Sequence, residues 1–204
     1  MASQRDRIVL GISGASGAIY GVRLLQTLRG FDLETHLVVS KPGEMTLAYE
    51  TPFSVADLRA LADAWHPIND VGAAIASGSF QCRGMIIAPC SMRTLAEIAS
   101  GVTSNLLTRA ADVMLKERRR LVLMARESPL HAGHLRNMLT VTELGGIVAP
   151  PMPGFYAKPA SLDDVIDHSV GRLLDLFDLN SERTRRWGDD GPQGIARTRF
   201  GKPD

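Results

Sequence analysis

The chain has 204 residues, 45% of them hydrophobic and 22% charged, with 23 Lys+Arg against 22 Asp+Glu and a formal charge of +1. At roughly 100–200 residues per domain this is one domain, or a domain with a tail, and so ordinary a composition excludes disorder over most of the length. Charge this balanced speaks against a surface devoted to gripping nucleic acid or an anionic membrane.

Ile8-Val-Leu-Gly-Ile12 is a short apolar run ended by Ser13-Gly-Ala-Ser-Gly17. From 18 to 28 apolar residues recur at helical spacing (Ile19, Val22, Leu25, Leu28), so the segment predicts strand, glycine turn and helix. Leu33-Glu-Thr-His-Leu-Val-Val39 predicts the next strand and completes a βαβ unit with a right-handed crossover. Gly84-Met-Ile-Ile-Ala88, Arg120-Leu-Val-Leu-Met-Ala125 and the shorter Gly145-Gly-Ile-Val-Ala149 are continuous apolar runs, as buried parallel strands require. Helical patterns fall between them at about 92–100, 104–116 and 134–143. Alternating strands and helices predict an open α/β parallel sheet with helices on both faces. Pro150-Pro-Met-Pro153 fits neither helix nor central strand. An amphipathic helix is predicted over 163–179 (Val165, Ile166, Val170, Leu173, Leu174, Phe177). Beyond Trp187 the chain turns Gly-, Asp-, Arg- and Pro-rich, which predicts a domain over 1–187 and a mobile tail over 188–204.

The two cysteines, Cys82 and Cys90, are too few for a disulfide scaffold and lack zinc-site spacing. With no apolar signal core after Met1 and no run of about 18 uncharged apolar residues, the expectation is a cytoplasmic protein without a membrane span.

In open α/β sheets ligands bind beyond the carboxyl ends of the strands, and three loops fall there. Ser13-Gly-Ala-Ser-Gly17 suits a tight turn and a phosphate cradle equally, since its glycines admit close backbone approach and the helix start offers free N–H groups. It has neither G-x-G-x-x-G spacing nor a Walker lysine, and Ala15 rules out a G-x-S-x-G elbow. Pro89-Cys-Ser-Met-Arg-Thr94 places Ser91 and Thr94 either to cap a helix or to meet a phosphate, with Arg93 close by. Arg126-Glu-Ser-Pro129 sets Arg126 and Glu127 side by side at a strand's carboxyl end, a functional position more often than a surface pair.

Two further clusters read as structural. Asp163-Asp-Val-Ile-Asp167 resembles a magnesium-holding aspartate cluster, but Ser161-Leu-Asp-Asp164 is a capping box and no second cluster exists. His131-Ala-Gly-His134 has no third ligand near it in sequence and fits a turn and helix start better than a metal site. His36, His66 and His168 carry no pattern of their own.

Gly14-Ala-Ser-Gly-Ala-Ile-Tyr-Gly21, Val39-Ser-Lys41, Ser77-Gly-Ser-Phe80, Pro89-Cys-Ser-Met-Arg-Thr94, Arg109-Ala-Ala-Asp-Val113, Leu115-Lys-Glu-Arg118, Arg126-Glu-Ser-Pro129 and Pro153-Gly-Phe-Tyr156, in this order and spacing, resemble the UbiX-type flavin prenyltransferase family. The likeness runs from Arg7 to Trp187, with Ser128 and the longer tail as departures. It implies a flavodoxin-like fold, FMN bound between subunits, and a homododecamer. The family's flavin-binding positions fall on Gly14, Ala15, Ser16, Ser40, Ser91, Met92, Arg93, Thr94 and Arg126. Its dimethylallyl phosphate site falls on Arg109, Lys116, Glu127, Tyr156 and Arg172. Glu50 and Ser16 match positions that handle protons, and Trp187 an aromatic beside the prenyl group.

The implied reaction joins a dimethylallyl group to N5 and then C6 of reduced FMN, with no metal, and makes prenylated FMN for a UbiD-type decarboxylase. Lys116 and Arg172 supply charge for the leaving phosphate and Tyr156 a hydroxyl. Two alternatives are an FMN-dependent cysteine decarboxylase of related fold and a non-catalytic FMN carrier. The first uses an asparagine-containing segment where this chain has Pro150-Pro-Met-Pro-Gly-Phe-Tyr156.

Overall fold

A computed structural model describes residues 5–181, 184 and 186. Six parallel strands form one sheet: β1 (Asp6–Ile12), β2 (Leu33–Val39), β3 (Ala64–His66), β4 (Gly84–Cys90), β5 (Arg120–Ala125) and β6 (Ile147–Val148), in the order β3-β2-β1-β4-β5-β6. Seven helices connect or flank them: α1 (Ala18–Leu28), α2 (Lys41–Glu50), α3 (Val55–Leu61), α4 (Met92–Ala99), α5 (Leu106–Lys116), α6 (Ala132–Glu143) and α7 (Leu162–Asp175). Among the described residues no helix is long and apolar enough to cross a membrane.

Alternation along β1 explains the two layers. Ile8, Leu10 and Ile12 point into a core shared with Val22 and Leu25 of α1 and Val170 and Leu174 of α7. Val9 points the other way, into a core with Met85 and Ile87 of β4 and Leu107 and Val113 of α5. Every position of β4 is buried, as a central strand covered on both faces must be. The chain leaves β1 toward β2 and β3, then returns to place β4 on the other side of β1. The helices that follow β1 and β4 pack on opposite faces of the sheet, which makes the carboxyl edge between these two strands the crevice where open α/β sheets take ligands.

The strands and helices expected around β1, α1, β2, β4, α4, α5, β5 and α6 are present within a few residues of the predicted bounds. The structure adds α2, α3 and β3, which the apolar pattern does not show. It also shortens the last helix, which stops at Asp175 rather than running to 179. There Phe177 turns inward to 2% exposure, Arg83 Nη1 donates to its carbonyl at 3.1 Å, and Asp178 takes the left-handed conformation at φ 58°.

Candidate functional site

Three helices begin at that crevice. Gly17 caps α1 in the left-handed conformation (φ 101°), where a side chain would be strained and would also meet Arg126 Cδ at 3.2 Å. Ser40 caps α2, its hydroxyl accepting from Gly43 N at 3.1 Å. Ser91 caps α4, accepting from Thr94 N at 3.3 Å while its own hydroxyl donates to Thr94 Oγ1 at 3.1 Å. A buried latch holds these starts together. Ser13 Oγ donates to the Pro89 carbonyl at 3.0 Å and accepts from Ser91 N at 2.8 Å, Ser40 N donates to the Ile12 carbonyl at 2.9 Å, and Arg126 N donates to the Cys90 carbonyl at 3.2 Å. Nothing in the sequence pattern distinguishes Ser13 from the turn residues beside it, yet it ties the β1 loop to the β4 loop.

Gly14, Ala15, Ser16, Ser40, Ser91, Met92, Arg93, Thr94 and Arg126 thus belong to one loop cluster, with Arg93 drawn aside by an ion pair to Glu97 at 2.9 Å. Glu50, at the end of α2, reaches into the same cluster. Its Oε2 accepts from Gly17 N at 2.7 Å and Ala18 N at 3.0 Å, so a carboxylate sits where the α1 dipole favours an anion. Burial opposes its ionisation, but hydrogen bonds from the Ser16 hydroxyl and the Gly17 and Ala18 amides, with the charge of Arg126, hold its carboxyl below the ordinary value.

A second group lies where the proline run meets α7. A groove of about 690 Å³ is lined by Ala149, Pro151, Phe155, Tyr156, His168 and Arg172, among others. Tyr156 Oη and His168 Nε2 are 3.0 Å apart, and Arg172 Nη1 donates to Asp175 at 2.8 Å.

Lys116 and Arg109 stand elsewhere. Lys116 pairs with Glu117 beside Gly78, and Arg109 donates to the Ala76 carbonyl at 3.2 Å and to Asp112 at 2.6 Å. Lys116 ends α5 just before β5, whereas Arg126 directly follows β5. The six residues of β5, at about 3.3 Å each, set the two about 20 Å apart. Expected beside Tyr156 and Arg172, Lys116 does not line their groove, and it ends a helix packed on the opposite face of the sheet from α7. Glu127 accepts from its neighbour Ser128 N at 2.9 Å. Trp187 and the tail over 188–204 lie outside the described residues.

The two clusters read as structural are used structurally. Ser161 and Asp164 form a reciprocal capping box at the start of α7, while Arg23 pairs with Asp163 at 2.6 Å and with Asp167. His131 caps α6, its Nδ1 accepting from Gly133 N at 3.0 Å.

The flavoprotein family model matches residues 2–174. A flavin prenyltransferase UbiX of Thauera aromatica is 55% identical over 193 residues, covering 95% of this chain and all of that protein. Another, from Neisseria meningitidis serogroup B, is 57% identical over 190 residues, covering 93% of this chain and 98% of that one. The crystal structure of AnUbiX in complex with FMN and dimethylallyl pyrophosphate superposes with a TM-score of 0.89 at 55% identity, over 90% of this chain and 98% of that chain. A dodecameric FMN-dependent UbiX-like decarboxylase from Escherichia coli O157:H7 superposes with a TM-score of 0.87 at 50% identity, over 89% and 98% of the two chains. The FMN-dependent cysteine decarboxylase TvaF shares the fold alone, at 16% identity and a TM-score of 0.59.

Proposed function

The chain belongs to the UbiX flavin prenyltransferase family, and from that membership we propose that it transfers a dimethylallyl group from dimethylallyl phosphate to N5 and then C6 of reduced FMN, without a metal. The product, prenylated FMN, would serve a UbiD-type decarboxylase. The observation that carries this reading is the convergence of three helix starts, their hydroxyls and Arg126 on one crevice. That donor set fits FMN, whose phosphate and polar ring edge call for N–H, hydroxyl and guanidinium partners. Bound there, FMN supplies the two nucleophilic positions.

The chain's own residues do the rest. Gly14, Ala15, Ser16, Ser40, Ser91 to Thr94 and Arg126 bind the flavin. Arg172 meets the leaving phosphate with a planar fork, Lys116 with a point charge and Tyr156 with a hydroxyl, while Arg109 and Glu127 line the same region. Together the cations match the charge of one phosphate, and Asp163, Asp164 and Asp167 are committed to capping and to Arg23 rather than to magnesium. AnUbiX was crystallised with the pyrophosphate donor; the monophosphate remains part of the proposal. Trp187 offers an aromatic face to the allyl fragment as cationic character develops, worth about 0.5–2 kcal/mol. Closing the ring sheds a proton. Released inorganic phosphate, as its dianion, is the stronger base, and Glu50, held ionised with Ser16 as its partner, is the fixed one.

Lys116 and Arg109 reach this site from a neighbouring subunit, so the working unit is an oligomer, a homododecamer by likeness to the E. coli neighbour. Exposed apolar pairs one turn apart, Met45 and Tyr49 on α2 and Leu135 and Leu139 on α6, support such contacts.

The test is anaerobic incubation of the purified protein with reduced FMN and dimethylallyl phosphate, followed by mass measurement of the extracted flavin. We expect a gain of one five-carbon unit, and Lys116→Ala and Arg172→Ala each to lower its formation at least ten-fold at subsaturating donor. A flavin of unchanged mass favours a carrier.

A further inference from the structure

We propose that Arg119 is a positioning residue for Lys116: its guanidinium clamps the 77–80 loop beside the end of α5 and so holds the Lys116 ammonium where it meets the leaving phosphate of a neighbouring subunit. The proposal rests on the prenyl-transfer reading above.

The end of α5 sets up the clamp. The helix stops at Lys116, Arg118 takes the left-handed conformation at φ 56°, and Arg119 N donates to the Met114 carbonyl at 2.8 Å. From this reversal the half-buried Arg119 side chain donates through Nη1 to the Phe80 carbonyl and through Nη2 to the Gly78 carbonyl at 2.7 Å. A planar fork can span two carbonyls in this way, whereas an ammonium is a single point charge. Little else fixes the middle of the loop. Among the described residues, the other hydrogen bonds of residues 77–79 stay local: Ser77 N donates to the Ala74 carbonyl, Phe80 N to the Ser77 carbonyl, and Ser79 N to Ser77 Oγ. The two serine hydroxyls bond each other at 2.8 Å. Beyond them the Phe80 side chain is buried in the core, so the loop is anchored at that end by packing and at Gly78 by the guanidinium.

Lys116 rests on this loop. It and Glu117 fold over Gly78 so closely that a Cβ there would lie 2.7 Å from Lys116 Nζ. Glu117 pairs with Lys116, and the hydrogen bond and charge of Lys116, followed by the charge of Arg119, hold the Glu117 carboxyl below its ordinary value. Glu117 is thus an ionised tether, and Arg119 supports both the tether and the surface beneath it. Arg109 stands seven residues before Lys116 on the same face of α5 and donates to the Ala76 carbonyl at 3.2 Å. Both cations that this chain lends to a neighbour therefore lean on one short segment. Arg119 itself directly precedes β5, at the opposite end of that strand from Arg126 and the flavin cluster.

Two measurements test this. In hydrogen exchange followed by mass spectrometry on the FMN-loaded oligomer, Arg119→Ala should speed exchange of the peptide spanning 77–83 and leave the flavin-binding segments 13–17 and 91–94 unchanged. A loop that exchanges as in the parent overturns the clamp whether or not the enzyme is active. In turnover, Arg119→Ala should raise KM for dimethylallyl phosphate about ten-fold or more with little change in FMN affinity. Arg119→Lys, which keeps the stem and the charge but has no fork, should share the defect, and it carries the same test if the alanine chain does not fold. Lys116→Ala combined with Arg119→Ala should be no worse than Lys116→Ala alone. Mixed oligomers locate the effect. Arg119→Ala chains co-expressed with Arg172→Ala chains should recover adduct formation, whereas Arg119→Ala chains with Lys116→Ala chains should not. Losses that multiply, a lysine variant with the parent's donor KM, or recovery with Lys116→Ala chains contradict a role exerted through Lys116. A wild-type protein that forms no adduct overturns the prenyl-transfer reading instead, and loop exchange still tests the clamp.

Discussion

Glu50 ends one helix and serves the start of another, which makes it the residue where stability and chemistry meet. Its carboxylate accepts the Gly17 and Ala18 amides, and its folded pKa is held below the unfolded value. A depressed carboxyl stabilises the fold above its unfolded pKa, about 4.3, and that contribution is lost as pH falls through the folded value. Glu50→Gln should therefore cost at most about 1 kcal/mol near pH 7, because the group is partly exposed and the amide oxygen still accepts. The penalty should vanish at the acid end, below the folded pKa. Urea unfolding at pH 7 and on an acid series measures both, and an equal penalty at every pH would show that the charge is irrelevant. At this scale the sequence is legible only in part. Ser91 and Ser161 sit at visible helix starts, and Arg126 at a visible strand end. Glu50 and Tyr156 gain meaning only from family likeness, and His168 looks like any lone histidine because its partners come from the 155–157 turn and Gly154.

Among the elements, β1, α1 and β4 form the interlocked unit on which the crevice depends. Gly21 lets α1 lie directly on the sheet: a Cβ there would stand 2.6 Å from Ile12 Cδ1 and 2.7 Å from the Ala88 carbonyl oxygen. Alanine is the better helix former by about 1 kcal/mol, yet here it must push α1 off backbone that cannot yield. Gly21→Ala should lower unfolding stability by about 1–3 kcal/mol and weaken FMN binding; a variant as stable as the parent would contradict this close approach. The same unit is the most readable part of the sequence, since an apolar run, a glycine cluster and a helical stripe follow in turn. Helix α2 is unreadable by that route because Lys41–Glu50 buries only Gly43 and Leu47, too few for a stripe. The segment after Asp175 misleads in the opposite sense. Phe177 and Leu179 continue an apolar pattern, but they are buried by a turn in the chain rather than by further helix.

The whole molecule poses the geometric problem of the leaving anion. One chain carries the flavin cluster and the Arg172 groove, but holds Lys116 beyond the far end of β5. Periodicity gives no sign of this division, because it concerns which copies meet and not which elements form. If the site is shared, a subunit lacking Lys116 still offers Arg172 to its neighbour, and a subunit lacking Arg172 still offers Lys116. The decisive measurement is co-expression of Lys116→Ala and Arg172→Ala chains, purification of the mixed oligomer, and mass analysis of flavin after incubation with reduced FMN and subsaturating dimethylallyl phosphate. The mixed oligomer should form the five-carbon adduct well above the level of either variant alone. A mixed oligomer as inactive as both parents would contradict a site assembled from two chains.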